Sequence, residues 1–147
     1  MATREQLDDT LRDSFVPLLR QKGFRGTFPH FRRQRKTRVD LLSFQHTQPS
    51  GGKFVIEIAK APLAGITTSW GKHIAPGKLK TSDVGGDVFR NRLRLGSSPE
   101  ENKNDHWFEF STATQDELEI LVRNLVELVD HQAEVWWSDG YEWWNDT

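Results

Sequence analysis

Apolar residues at Leu7, Leu11, Phe15, Leu18 and Leu19 recur at helical spacing behind Thr3-Arg4-Glu5-Gln6. That opening is a Thr-x-x-Gln capping box, in which the hydroxyl accepts from the backbone three residues on and the amide reaches back. The pattern predicts a helix from Thr3 to Gly23, interrupted at Pro17, which lacks a backbone donor and crowds the carbonyl of Asp13. From Thr27 the period changes to two. Phe31, Arg33 and Arg35 alternate with His30, Arg32, Gln34 and Lys36, and Lys36-Thr37 turns the chain into Arg38–His46, with Asp40, Leu42, Phe44 and His46 on one face. Pro49-Ser50-Gly51-Gly52 supplies a hairpin loop into a third strand, where Phe54, Ile56 and Ile58 alternate with Val55, Glu57 and Ala59.

Residues Ala61 to Asp87 hold no sustained period and contain Pro62, Pro76 and five glycines. They read as a long functional or mobile loop, with Trp70 as an anchor folding back onto the sheet. Val88–Leu95 alternates again, with Phe89, Leu93 and Leu95 opposite Arg90, Arg92 and Arg94, and His106–Phe110 forms a last strand. Thr114-Gln115-Asp116-Glu117 is a second capping box, opening a helix whose Leu118, Leu121, Val122, Leu125, Leu128 and Val129 make the stripe of a helix lying on a sheet. The expected fold is α+β: a single domain over residues 1–133, with a five-stranded, mainly antiparallel sheet covered on one face by the N- and C-terminal helices and partly wet on the other. Residues 134–147 are a tryptophan-rich C-terminal extension, with four tryptophans between Trp136 and Trp144.

The chain has 147 residues, which suits one domain, and its 35% hydrophobic and 11% aromatic content is polar but too aromatic for a disordered chain. No long apolar run and no signal-peptide pattern occur, so a soluble cytoplasmic protein with no membrane association is expected. Zero cysteines exclude disulfides, thiolate metal sites and a Cys nucleophile. The net charge of −1 hides a division: residues 1–94 carry 18 Lys/Arg against 8 Asp/Glu, and residues 95–147 carry 2 against 13. The halves either dock on one another or present separate electrostatic faces to a partner. A pI near 6.5 makes nucleic acid an unlikely partner, since such domains usually lie above about 9.

Leu18-Leu19-Arg20-Gln21-Lys22-Gly23-Phe24, Phe31-Arg32-Arg33, Ser43-Phe44-Gln45 and Asp105-His106-Trp107-Phe108, in that order and spacing over roughly residues 5–133, resemble a family of small bacterial proteins catalogued as domain of unknown function number 4304. The resemblance implies one α+β domain and carries over no activity or functional residue. The tryptophan-rich tail departs from the family pattern.

The five histidines, His30, His46, His73, His106 and His131, lack zinc spacing, although His30 and His46 are expected roughly opposite one another across the first hairpin. No nucleophile elbow, phosphate loop or carboxylate pair is present, and neither a catalytic residue nor a cofactor is implied. The basic run from Arg32 to Arg38 reads either as a charged hairpin tip or as a phosphate-contacting ridge. Arg90, Arg92 and Arg94, with Trp107 and Glu109 on a presumed neighbouring strand, would share one face; they either pair internally or form a cationic, aromatic surface for an anion. Trp143 and Trp144 are candidate contacts to a protein partner or a second copy. Two functions from different classes follow: a non-enzymatic binding module for a protein or anionic partner, with Arg32, Trp70, Trp107 and the arginine row as candidates, or a small-molecule or nucleotide-handling enzyme with its site under the 61–87 loop.

Overall fold

A computed structural model describes residues 2–46, 52–85 and 89–145. The Thr3 capping box is formed, and behind it α1 (Arg4–Thr10) runs into a π-helical turn (Leu11–Phe15) and then α2 (Val16–Gln21). Gly23, at φ +97°, ends the helix in the left-handed region that glycine enters without a Cβ clash. Pro17 falls in the first turn of α2, just past the π turn, where a missing donor costs little.

The π turn has a cause in the sequence. Leu7, Leu11, Phe15 and Leu19 are all buried at a constant spacing of four. In a regular α-helix each four-residue step rotates about 40° past a full turn, so three steps would swing the row about 120° off the core. One widened turn takes up a residue and returns the row to line. The C-terminal helix repeats the device. Behind the Thr114 capping box, α3 (Gln115–Leu128) is followed by a π turn (Val129–Ala133) and α4 (Glu134–Trp137), and Leu125, Val129, Ala133 and Trp137 are fully buried.

The main sheet is antiparallel. Its order is β1 (Arg25–Thr27), β2 (His30–Gln34), β3 (Val39–His46), β4 (Lys53–Ala61) and β7 (Arg92–Arg94), and β8 (Phe108–Glu109) also pairs with β4. Six strands stand where five were expected, because the short β1 precedes the first predicted one and joins it through a cis Phe28–Pro29 peptide. The expected loop at Pro49–Gly51 and the turn and strand start at Gly86–Val88 lie outside the described residues.

Both helices cover one face, where Phe31, Leu42, Phe44, Ile56, Ile58 and Leu93 meet Phe15, Leu118, Leu125 and Trp137. The other face is not wet along its middle. Val39, Leu41, Ala59 and Ala61 are covered by Leu79 and Val84 from the 62–85 segment and by half-buried Trp143. That segment carries a two-stranded hairpin, β5 (Ile66–Thr67) and β6 (His73–Ile74), and two 3-10 turns, Pro76–Lys78 and Thr81–Asp83. It is therefore not a structureless loop, and apolar side chains fill the space beneath it. Leu79 and Val84, with half-buried Ile66 and Ile74 packed beside them, hold it down, spaced too irregularly to create a period in the sequence.

The two oppositely charged halves dock. Arg33 forks onto buried Asp40 and onto Glu134, Lys22 pairs with Asp130, and buried Lys60 donates to Asp139 Oδ1 and to the carbonyl of Tyr141.

Candidate functional site

The chain has no carboxylate between Asp13 and Asp40, a stretch with eight Lys and Arg residues. The fold sorts these cations by facing. In β2 the odd positions point to the helices, and Arg33 enters the core there between the rings of Phe24 and Trp137, 4.5 and 5.2 Å from their centroids. Burial alone would push its pKa down; the hydrogen bonds it donates to Glu134 and Asp40, and their charges, outweigh this and raise it. Glu134 shows the reciprocal effect: burial pushes its carboxyl up, and Arg33 brings it below the usual carboxylate range. Arg38 Nε donates to the same Asp40 at 2.7 Å. These cations are neutralised where they stand.

The even positions point the other way, toward the face covered by the 62–85 segment. Arg32 donates from Nε and Nη2 to the carbonyl of Leu79, each at 3.2 Å, and has no carboxylate partner among the described residues. Burial lowers its pKa from the ordinary arginine value, as expected of a guanidinium that loses water without gaining an opposite charge. Directly opposite it in the β1–β2 register is Arg25, exposed and making no hydrogen bond or ion pair with the described residues. The two arginines, with Gln34 and Val39 on the strands and Pro76 and Gly77 across from them, line a groove of about 470 Å³ without a carboxylate in its wall. Like charges facing one another across strands are unfavourable, and a bound anion relieves that repulsion with charge-assisted hydrogen bonds.

His30 lies beside this region, with Nδ1 2.9 Å from Ser43 Oγ. Burial lowers its pKa first, then the charges of Lys80 and Arg32, against a smaller opposing effect of Asp83. The register pairs His30 with Ser43 and His46 with Phe54, so the expected pairing of the two histidines across the hairpin does not occur. Among the described residues no group of three or more His, Asp or Glu side chains is arranged to hold a metal ion.

The other expected site residues fall elsewhere. β7 and β8 lie end to end along one edge of β4, at 57–59 and 53–54, so the arginine row and Trp107 are not cross-strand neighbours. The expectation failed because strand parity fixes which face a residue occupies and not which strand lies beside it. Arg92 pairs with Glu57 at 3.1 Å, Arg90 lies 5.0 Å from the ring of Tyr141, and the Arg94 backbone N–H donates to Asn104. Arg90 lies in a turn before the strand. Trp107 is 47% exposed with the Lys53 ammonium 4.6 Å from its ring centre.

Trp70 does not fold back onto the arginine face. It sits at the tip of the β5–β6 hairpin, 78% exposed, in a turn closed by Thr68 and Lys72. Trp143 and Trp144 are half-buried and stacked edge to face, and the Trp143 indole N–H donates to the carbonyl of Lys60 at 2.7 Å. Trp136 and Trp137 likewise donate to the carbonyls of Phe89 and Ala59. The tail thus fastens its rings to the main chain.

Arg32 was legible as a candidate; Arg25, Gly23, Pro76 and Gly77 were not. The signal that would have found Arg25 is the carboxylate-free stretch around it, punctuated by Gly23 and Gly26.

Among curated proteins and among solved structures, nothing matches the chain. A family model does match, over residues 15–139, which takes in both arginines of the groove, the core helix and the first two tryptophans of the tail. The chain therefore belongs to the family described as domain of unknown function DUF4304.

Proposed function

We propose that the protein is a non-enzymatic binding module, and that it takes a carboxylate-bearing protein segment in the groove between Arg25 and Arg32. The carrying observation is that Arg32 is partly desolvated without a carboxylate partner among the described residues and faces a second arginine across a concave wall. Val39, Pro76 and the aliphatic stems of the arginines give such a segment apolar contact beside its charges. Bacterial and cytoplasmic settings belong to the same reading. Among the described residues no helix is long and apolar enough to cross a membrane. The enzymatic alternative, with a site beneath the 61–87 segment, draws less support, because Leu79 and Val84 fill that space.

Titration of a glutamate-rich peptide and, separately, of polyphosphate into wild type, Arg32→Gln and Arg25→Gln at two salt concentrations tests the proposal. Peptide binding that weakens with salt and about tenfold or more with either substitution supports it. No peptide binding at low salt, or binding indifferent to both arginines, rejects it, and preference for polyphosphate moves the partner to another class.

A further inference from the structure

A second cleft, independent of the groove, lies between α1 and the Phe28–Pro29 turn. It measures about 480 Å³, within the range of small-molecule sites, and combines apolar walls with a few convergent polar groups. Its floor is aromatic: Phe28 stacks on Phe44 with centroids 5.2 Å apart, and buried Phe54 closes the far side. Charge enters from one face of the helix, where Arg4, Asp8 and Arg12 recur every four residues. His46 Nε2 lies 3.1 Å from Asp8 Oδ1, and His46 Nδ1 is buried without a partner among the described residues. A proton on Nε2, donated to Asp8, leaves only a lone pair unpartnered inside, which is cheaper than burying an orphan N–H. Asp8 is thereby tied to the strand. Arg12 is half-exposed and holds its guanidinium 4.7 Å from the centre of the Phe28 ring; its other contact is a 3.6 Å pair with exposed Asp9, of the kind that contributes little in water.

We infer that this cleft binds a small organic anion with a flat apolar body, an aromatic carboxylate, with the ring against Phe28 and Phe44 and the carboxylate on Arg12. Asp8 is taken up by His46, and among the described residues Arg12 pairs only with the well-exposed Asp9, so the cleft keeps a cation at its mouth that favours the acid over a neutral molecule of the same shape. The guanidinium over Phe28 puts the charged contact beside the apolar one, so a ligand with both parts satisfies them together.

The test titrates 2-naphthoate, and 2-naphthamide as its uncharged match, into the ¹⁵N-labelled full chain. Saturable amide shifts are expected over Arg4–Arg12, at Phe28 and His30, and over Phe44–His46. The amide should bind about tenfold more weakly or worse, and Arg12→Gln should weaken the acid by about the same factor, as loss of one charge-assisted contact does. Arg12 is exposed enough that its substitution leaves the core intact, and Phe28→Leu, which keeps bulk and removes the ring, should also weaken the acid. Absence of binding, equal binding of acid and amide, shifts confined to other regions, or indifference to Arg12→Gln each overturns the inference. A glutamate-rich peptide that binds the Arg25 and Arg32 groove while naphthoate fails would overturn this site alone.

Discussion

Arg32 and Arg33 are neighbours in one strand with opposite circumstances. Arg33 points to the helices, is almost fully buried, and meets Asp40, Glu134 and two aromatic rings. Arg32 points to the other face, is half-buried, and meets a single backbone carbonyl. The difference shows how a chain with near-zero net charge keeps a local cationic surface: the acidic C-terminal half neutralises much of the basic half through the helix face, and Arg32 and Arg25, on the opposite side of the sheet, make no ion pair with the described residues.

Breaking the matched side should have the largest effect. Asp40→Ala removes the buried carboxylate that receives both Arg33 and Arg38, and should cost about 3–5 kcal/mol in a denaturant titration. Leu125→Ala, a purely apolar truncation on the same face, should cost about 2–5 kcal/mol and serves as the yardstick for core damage. On the unmatched side, Arg32→Gln loses its hold on the Leu79 carbonyl and should cost about 1 kcal/mol. Arg25→Gln should stay within about 0.5 kcal/mol of wild type, because the exposed Arg25 side chain makes no hydrogen bond or ion pair with the described residues. If Arg25→Gln or Arg32→Gln destabilises the fold as much as Asp40→Ala, the two sides are not different in kind.

The two sides also separate by pH. Glu134 has a folded pKa below its ordinary 4.5, so its contribution is complete above that value and is lost as pH falls through the lower folded one. Between pH 5 and 3, Glu134→Gln should lose less stability than wild type does. His30 also has a lowered pKa, so the stability gained by keeping it neutral is complete above its ordinary 6.5 and declines on acidification below that. His30→Gln should flatten the denaturant midpoint between pH 7 and 5.

Much of this architecture was legible in the chain. Both capping boxes form as read, β3 and β4 follow their alternation, and the α3 stripe lies on the sheet. The four-residue spacing from Leu7 to Leu19 was visible, but a reading limited to α periodicity could not turn it into a π turn. The 62–85 segment stayed hidden for the opposite reason, since Ile66, Ile74, Leu79 and Val84 are anchors at irregular spacing without a period. For the site, parity separated Arg32 from Arg33 correctly, whereas the neighbours of β7 are a long-range choice that no local pattern encodes, and Arg25 sits on a three-residue strand too short to show an alternation.

The most direct test of the central claim is where a bound acidic segment sits. In amide shift maps of the ¹⁵N-labelled protein with a glutamate-rich peptide at low salt, changes are expected over Gly23–Thr27, Arg32–Gln34 and Gly77–Leu79, abolished by Arg32→Gln. Changes centred instead on Arg90–Arg94 and Trp107, and surviving that substitution, would contradict it by placing the cationic surface on the row that Glu57 partly neutralises.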